Sequence, residues 1–205
     1  MIEQIHWLGH DAFKITASTL IYIDPYQIKA GQRPADIILI THKHADHCSP
    51  GDIDKIQHTS TVVVGPADSL TRIAGVKRAI KVGETLRIGE VEITAVPAYN
   101  INKPYHTKGA GWVGYLIKVD GVTLYHAGDT DYIPEMKQLH PDIALLPVGG
   151  TYTMTAEEAA QAALVLRPKA AIPMHYGTVV GKLADADRFR QLLKEKVNVV
   201  IKTKE

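Results

Sequence analysis

Apolar residues along this chain come in short runs with period two or with no period, the patterns of strands exposed on one face or on neither. Ile2 to Trp7 and Ala12 to Thr16 read as short strands joined through Leu8-Gly9-His10-Asp11. Ala17-Ser18 turns the chain into a third, Thr19 to Ile23, which stops at Asp24-Pro25 because proline cannot donate to a ladder. The connector Gln27 to Ala35 holds Gly31 and Pro34 and reads as a surface loop. Ile37-Ile38-Leu39-Ile40 is a bare apolar run, the pattern of a strand buried on both faces. In Ser49-Pro50-Gly51-Asp52 an N-cap residue precedes a proline at the first helical position, which predicts a short helix through Ile56.

The remainder continues in the same style. Thr61 to Gly65 is a strand, Pro66 opens a predicted helix through Ala74, and Lys77 to Val96 reads as small antiparallel strands broken at Gly83 and Gly89. Pro97 to Gly111 has no period and mixes aromatics, amides and a histidine; a loop of that length inside a compact fold is usually functional or mobile. Trp112 to Val119 and Val122 to Tyr125 form a hairpin at Asp120-Gly121, followed by a buried strand at Ile143 to Leu146. Thr155-Ala156-Glu157-Glu158 is a capping box for an alanine-rich helix that ends near Arg167, before Pro168. Ala170 to Met174 is a strand, Asp185 to Lys194 an amphipathic helix, and Val197 to Lys202 a closing edge strand. One echo links the two parts. Thr19-Leu20 leads to Asp24 and then to Asp36-Ile37-Ile38-Leu39, and Thr123-Leu124 leads to Asp129 and then to Asp142-Ile143-Ala144-Leu145.

Composition narrows the setting. With 205 residues the chain suits one α/β domain spanning 1–205. Lysine and arginine number 23 and acidic residues 22, so no overall basic field argues for nucleic acid. No apolar run reaches membrane-spanning length, Met1 to His6 lacks the layout of a signal peptide, and a cytoplasmic location is the default expectation. The single cysteine, Cys48, excludes an intramolecular disulfide and reads as a small buried residue.

The chemistry concentrates in His42-Lys43-His44-Ala45-Asp46-His47, where three histidines and an aspartate follow the buried run Ile37 to Ile40. Imidazole and carboxylate suit zinc and other first-row divalent ions. A histidine-rich solvated loop is the alternative, but four ligand-type side chains in six positions after a buried strand point to metal. His-x-His-x-Asp-His after a hydrophobic strand resembles the signature of the metallo-β-lactamase superfamily. That resemblance implies a four-layer αββα sandwich of two similar halves, in agreement with the echo. It implies two metal sites, with His42 and His44 in the first and Asp46 and His47 in the second. Asp129 then resembles the bridging aspartate and His175 the last histidine. The family places a further site-one histidine where this chain has Asn100. Asn100 offers a weaker carbonyl oxygen there, or His106, six residues on, can swing in instead; otherwise site one is left poor and binds more weakly than site two. Trp7-Leu8-Gly9-His10 resembles the branch that includes ascorbate-6-phosphate lactonases and N-acyl-phosphatidylethanolamine phospholipase D, which puts His10 beside the metals with Asp46 in catalysis. Asp24 resembles the early aspartate that orients a ligand histidine.

The expectation is a metal-dependent hydrolase carrying two Zn2+ ions, the one at site one held more weakly than the other, with Mn2+ or iron compatible with the same ligands. Its substrate is a small ester, lactone or phosphodiester, and Lys43, Lys103, Lys108 and His106 hint at an anionic one. A nuclease of the same superfamily and a non-catalytic metal-binding protein are the alternatives. Homo-oligomerisation stays open.

Overall fold

The computed structural model describes residues 1–205. Strands β1 (Ile5–Gly9), β2 (Ala12–Thr16), β3 (Leu20–Ile23), β4 (Ile37–Leu39), β5 (Val62–Gly65) and β6 (Val76–Ala79) form one sheet in that order. The second sheet follows the chain through β7 (Thr85–Ile88), β8 (Val91–Pro97), β9 (Val113–Val119), β10 (Val122–His126), β11 (Ile143–Pro147), β12 (Ala170–Met174) and β13 (Asn198–Val199). Three helices complete the α/β sandwich: α1 (Pro50–Ile56), α2 (Ala156–Leu166) and α3 (Leu183–Leu192).

The echo in the sequence is a repeat in the topology. β2 pairs antiparallel with β3, and β3 to β6 then pair in parallel. In the same way β9 pairs antiparallel with β10, and β10 to β13 run parallel. Both copies use one clamp. Leu20 N donates to Asp36 Oδ2 at 2.7 Å while Asp36 N donates to Leu20 O at 2.9 Å. Thr123 N donates to Asp142 Oδ2 at 2.9 Å while Asp142 N donates to Thr123 O at 2.8 Å. An aspartate just before the second strand of each pair thus fixes its register against the first.

Strand alternation sorts the core into two layers. Ile21, Ile23, Ile37 and Leu39 face the cluster shared with Ile93, Tyr115, Ile117 and Leu145 of the second sheet. The intervening Leu20, Tyr22, Ile38 and Ile40 belong to the cluster that holds Ile53 and Ile56 of α1. Each such isoleucine contributes about 1.5–3 kcal/mol by leaving water. On the other side α2 packs against β11 and α3. Its buried alanines, Ala156, Ala159, Ala160, Ala162 and Ala163, give it a smooth face. The predicted capping box is present, with Glu158 N donating to Thr155 Oγ1 at 3.2 Å and Thr155 N to Glu158 Oε2 at 2.8 Å.

Four sequence expectations change. The first strand, expected from Ile2, begins at Ile5 after a 3-10 turn over Ile2–Gln4. The helix expected over Pro66 to Ala74 is one 3-10 turn, Ser69–Arg72. Its carbonyls serve other partners: Cys48 Sγ donates to Ser69 O, and Lys77 Nζ to Leu70 O. Of the small antiparallel strands over Lys77 to Val96, only the β7–β8 hairpin is antiparallel. β6 joins the first sheet in parallel beside β5. The final edge strand shrinks to Asn198–Val199.

Candidate metal centre

The ends of β4, β10 and β12 converge, and the polar residues that follow them meet between the sheets. Tyr115 of β9 donates its hydroxyl to Ile40 O at 2.6 Å, tying the second sheet to the end of β4. Gly128 turns the chain after β10 with φ +63°, and a Cβ there would meet Val113 O at 3.0 Å. That turn is what sends Asp129 inward. Gly149 lies so close to His175 that a Cβ would stand 2.2 Å from its carbonyl oxygen.

Three imidazoles form one group. His42 Nε2 lies 3.1 Å from His44 Nδ1, and His106 Nε2 lies 3.2 Å from the same atom. A tetrahedral zinc bound at roughly 2.0–2.1 Å would set its nitrogens about 3.3 Å apart, so this spacing fits an ion. Burial, followed by the His47 charge, pushes His42 well below the usual histidine range. Burial and His106 lower His44. Both rings are therefore neutral and have a lone pair to give. The residue that joins them is His106, not Asn100. Asn100 instead donates its Nδ2 to Tyr152 O at 2.8 Å, and its backbone N donates to His106 O at 2.8 Å. The asparagine closes the loop that carries the histidine.

His47 and His175 form the second group, with His10 against them. His47 Nδ1 lies 2.8 Å from Asp24 Oδ2 and so turns Nε2 into the site. Asp24 also accepts from Thr41 N at 2.8 Å and from Thr41 Oγ1 at 2.6 Å, which fixes the start of the histidine stretch. Burial works against a charge on His47, but Asp129 and Asp24 hold its pKa well above the usual value. His10 Nε2 meets Asp46 Oδ2 at 3.1 Å, and the His10 ring lies against His175 with centroids 4.2 Å apart. Burial opposes ionisation of Asp46, yet the His10 hydrogen bond and the His47 charge bring its pKa down to about 2.

Asp129 stands between the groups. Its Oδ2 is 3.1 Å from His106 Nε2, 3.3 Å from His175 Nε2 and 4.0 Å from His42 Nε2. Its Oδ1 is 3.3 Å from His47 Nε2. Ligand atoms of His42, His44 and His106 all lie within 4.8 Å of one another, as do those of His10, His47 and His175 and those of Asp11, His47, Asp129 and His175. Asp46 stands outside these sets and reaches them through His10 and His47. Buried His47 Nε2, Asp129 Oδ1 and both Asp11 oxygens lack hydrogen-bond partners, a pattern that a bound cation resolves. The backbone is strained here as well. His10, Asp24, His106 and His175 have φ between 44° and 59°, half of the eight non-glycine residues with positive φ. Each costs about 1–3 kcal/mol, and such strain gathers at functional sites.

Residues 4–175 match the family model described as the beta-lactamase superfamily domain. The chain belongs to that superfamily. A UPF0173 metal-dependent hydrolase of Pyrococcus furiosus is 39% identical to this superfamily member over 217 residues, covering 97% of this chain and 95% of its own. A crystal structure from Parabacteroides distasonis, described as a metal-dependent hydrolase, aligns with TM-score 0.88 at 36% identity, covering 97% of this chain and 91% of that one. A metallo hydrolase from Ignicoccus hospitalis aligns with TM-score 0.79 at 27% identity, covering 96% and 93%. This member of the beta-lactamase superfamily is a metal-dependent hydrolase with a histidine–aspartate metal-binding cluster.

Two contributors escaped the sequence reading. Trp112 packs on the first group, its ring 4.9 Å from that of His42 and 4.8 Å from that of His44. A tryptophan opening a strand carries no signal for this. Asp11, beside His10, is fully buried against His47. Of the histidines read as structural, His126 is a buried clamp whose Nε2 donates to Asp11 O at 2.9 Å, while His58 and His140 are exposed. Cys48 is the expected small buried residue, its thiol pushed up to about 11 by burial. No helix is long and apolar enough to cross a membrane.

Proposed function

We propose that the chain is a two-ion hydrolase, with zinc as first choice, acting on a small ester, lactone or phosphodiester. One ion is assigned to His42, His44 and His106, the other to Asp46, His47 and His175, with Asp129 shared. The observation that carries the reading is Asp129, whose two oxygens face histidines of both groups at 3.1–3.3 Å. Manganese and iron suit the same imidazole and carboxylate donors. Such ions supply acidified water and polarise a carbonyl or phosphoryl oxygen.

The protein's own groups do the rest. Asp46 is ionised at neutral pH and held by His10, so its carboxylate can accept a hydrogen bond from the attacking water and carry a proton to the leaving group. His10 acts through Asp46 as a positioning residue. Asp24 fixes His47 from behind, as a carboxylate does for a ligand histidine.

The opening is a cavity of about 230 Å³ lined by His44, Asp46, Tyr105, His106, Asp129 and Tyr152. The lysines that hinted at an anion are each engaged: Lys43 with Asp68 at 3.5 Å, Lys108 with Glu135 at 2.8 Å, and Lys103 with Asp131. Attraction for an anionic substrate therefore rests on the ions alone.

The test is turnover of nitrophenyl esters, lactones and a bis-nitrophenyl phosphate by zinc-loaded protein, with and without chelator, beside an RNA-binding assay. The expected result is chelator-sensitive turnover in at least one class and no retention of RNA. RNA binding with cleavage would replace this reading by a nuclease. Full metal loading without any turnover would replace it by a metal-binding protein.

A further inference from the structure

We propose that Asp11 is a further carboxylate of the metal centre, a positioning residue behind His47 and Asp129 that retains the second ion. The inference rests on the two-ion reading above. A two-residue hairpin connection normally lies at the surface. The one between β1 and β2 does not: His10 and Asp11 are both 0% exposed. Three donors from separate places hold this turn inward. Trp7 Nε1 donates to His10 O at 2.8 Å, His175 N to the same oxygen at 3.2 Å, and His126 Nε2 to Asp11 O at 2.9 Å. The fold thus spends a buried indole and a buried imidazole on bringing these two side chains into the site.

His10 has an evident task, the hydrogen bond to Asp46. Asp11 has none in the protein alone. No N–H or hydroxyl donor reaches either of its oxygens, and the acidic neighbour beside it is Asp129. Its one ion-pair neighbour is His47, whose Nδ1 lies 3.7 Å from Oδ2 and is already bonded to Asp24 at 2.8 Å. Three buried carboxylates, Asp11, Asp24 and Asp129, thus surround a single imidazole ring. No lysine or arginine pairs with Asp11. A divalent cation on the Nε2 side of His47, beside Asp129 and His175, would give this buried carboxylate the partner that the protein does not supply. An oxygen of Asp11 lies within 4.8 Å of the ligand atoms of those three residues, close enough to act on an ion in a medium that screens poorly. Removing such a supporting carboxylate typically weakens metal affinity about 10–100-fold.

The experiment titrates metal-free wild type, Asp11→Asn and Asp11→Ser with Co2+, following visible absorption, and repeats the titration with Zn2+ against a competing chelator. Both substitutions remove the charge, and serine is small enough to fit if the asparagine amide does not. The expected result is one equivalent weakened about tenfold or more, with the other close to its wild-type affinity. Two equivalents bound by the folded variants with wild-type affinity would overturn the role of Asp11 and leave the metal reading intact. Wild type that binds neither ion would overturn the metal reading and this inference with it. If neither variant folds, metal-loaded wild type decides: an Asp11 oxygen within hydrogen-bond distance of an ion or of one of its ligands supports the role, and a carboxylate turned away from them overturns it.

Discussion

In the first half of the molecule β3 ends directly on Asp24, whereas in the second the chain leaves β10 at His126 and passes through Ala127 and Gly128 before Asp129. The two strands hold equivalent places in equivalent sheets, each with its register fixed by an aspartate clamp. The outcome for the carboxylates differs. Asp24 gives its oxygens to Thr41 and His47 and is satisfied by the protein. Asp129, two residues further along and turned by Gly128, faces four histidines and keeps Oδ1 without a partner. One strand tip orients ligands and the other gathers them. A repeated scaffold thus becomes an asymmetric centre through the length and turn of one connection.

The comparison is broken most severely at its gathering side. Asp129→Ala is expected to remove both metal equivalents together and to abolish turnover, an effect beyond the roughly 10–100-fold cost of losing a supporting partner. Metal analysis of the purified variant checks this, and retention of one full equivalent would mean that Asp129 serves a single site. Next in size is His106→Ala, expected to strip the group shared with His42 and His44 while His47 and His175 keep their ion. Asn100→Ala should weaken the same equivalent less, because Asn100 only closes the loop that carries His106. Equal losses in the two variants, read by chelator competition, would return Asn100 to the ligand set.

The orienting side should yield more gently. Asp24→Asn is expected to lower affinity for the ion at His47 by about 10–100-fold, since the ring loses the partner that aims Nε2 inward. The smallest effect belongs to the mirrored clamps. Asp36→Ala and Asp142→Ala should each cost about 1 kcal/mol in denaturant unfolding and leave metal affinity alone. If either changed metal content, the two clamps would be more than devices for register.

How much of this was readable beforehand depends on distance along the chain. His42, His44, Asp46 and His47 are contiguous, so one strand end places them all and their spacing is visible. Asp129 and His175 follow apolar runs, and strand ends in α/β folds are where such residues collect. His106 lies in a loop without period, where spacing says little about which side chain turns inward, and resemblance alone pointed to Asn100 as readily. Asp11 was invisible for a different reason. Resemblance pointed to His10 but not to the aspartate after it, which carries no inward signal of its own in a hairpin turn, and contacts from Trp7, His126 and His175 are what bury the pair. The parallel placement of β6 was hidden too, because Lys77 to Val96 carries the same short alternation whichever sheet it joins.

The central claim is that one carboxylate serves two ions, and the metal content of the purified, reconstituted wild-type protein tests it most directly. Two equivalents per chain, both required for turnover and both removed by chelator, are expected. A single equivalent at saturation, with full activity, would contradict the shared site and leave Asp129 as an ordinary ligand of one ion.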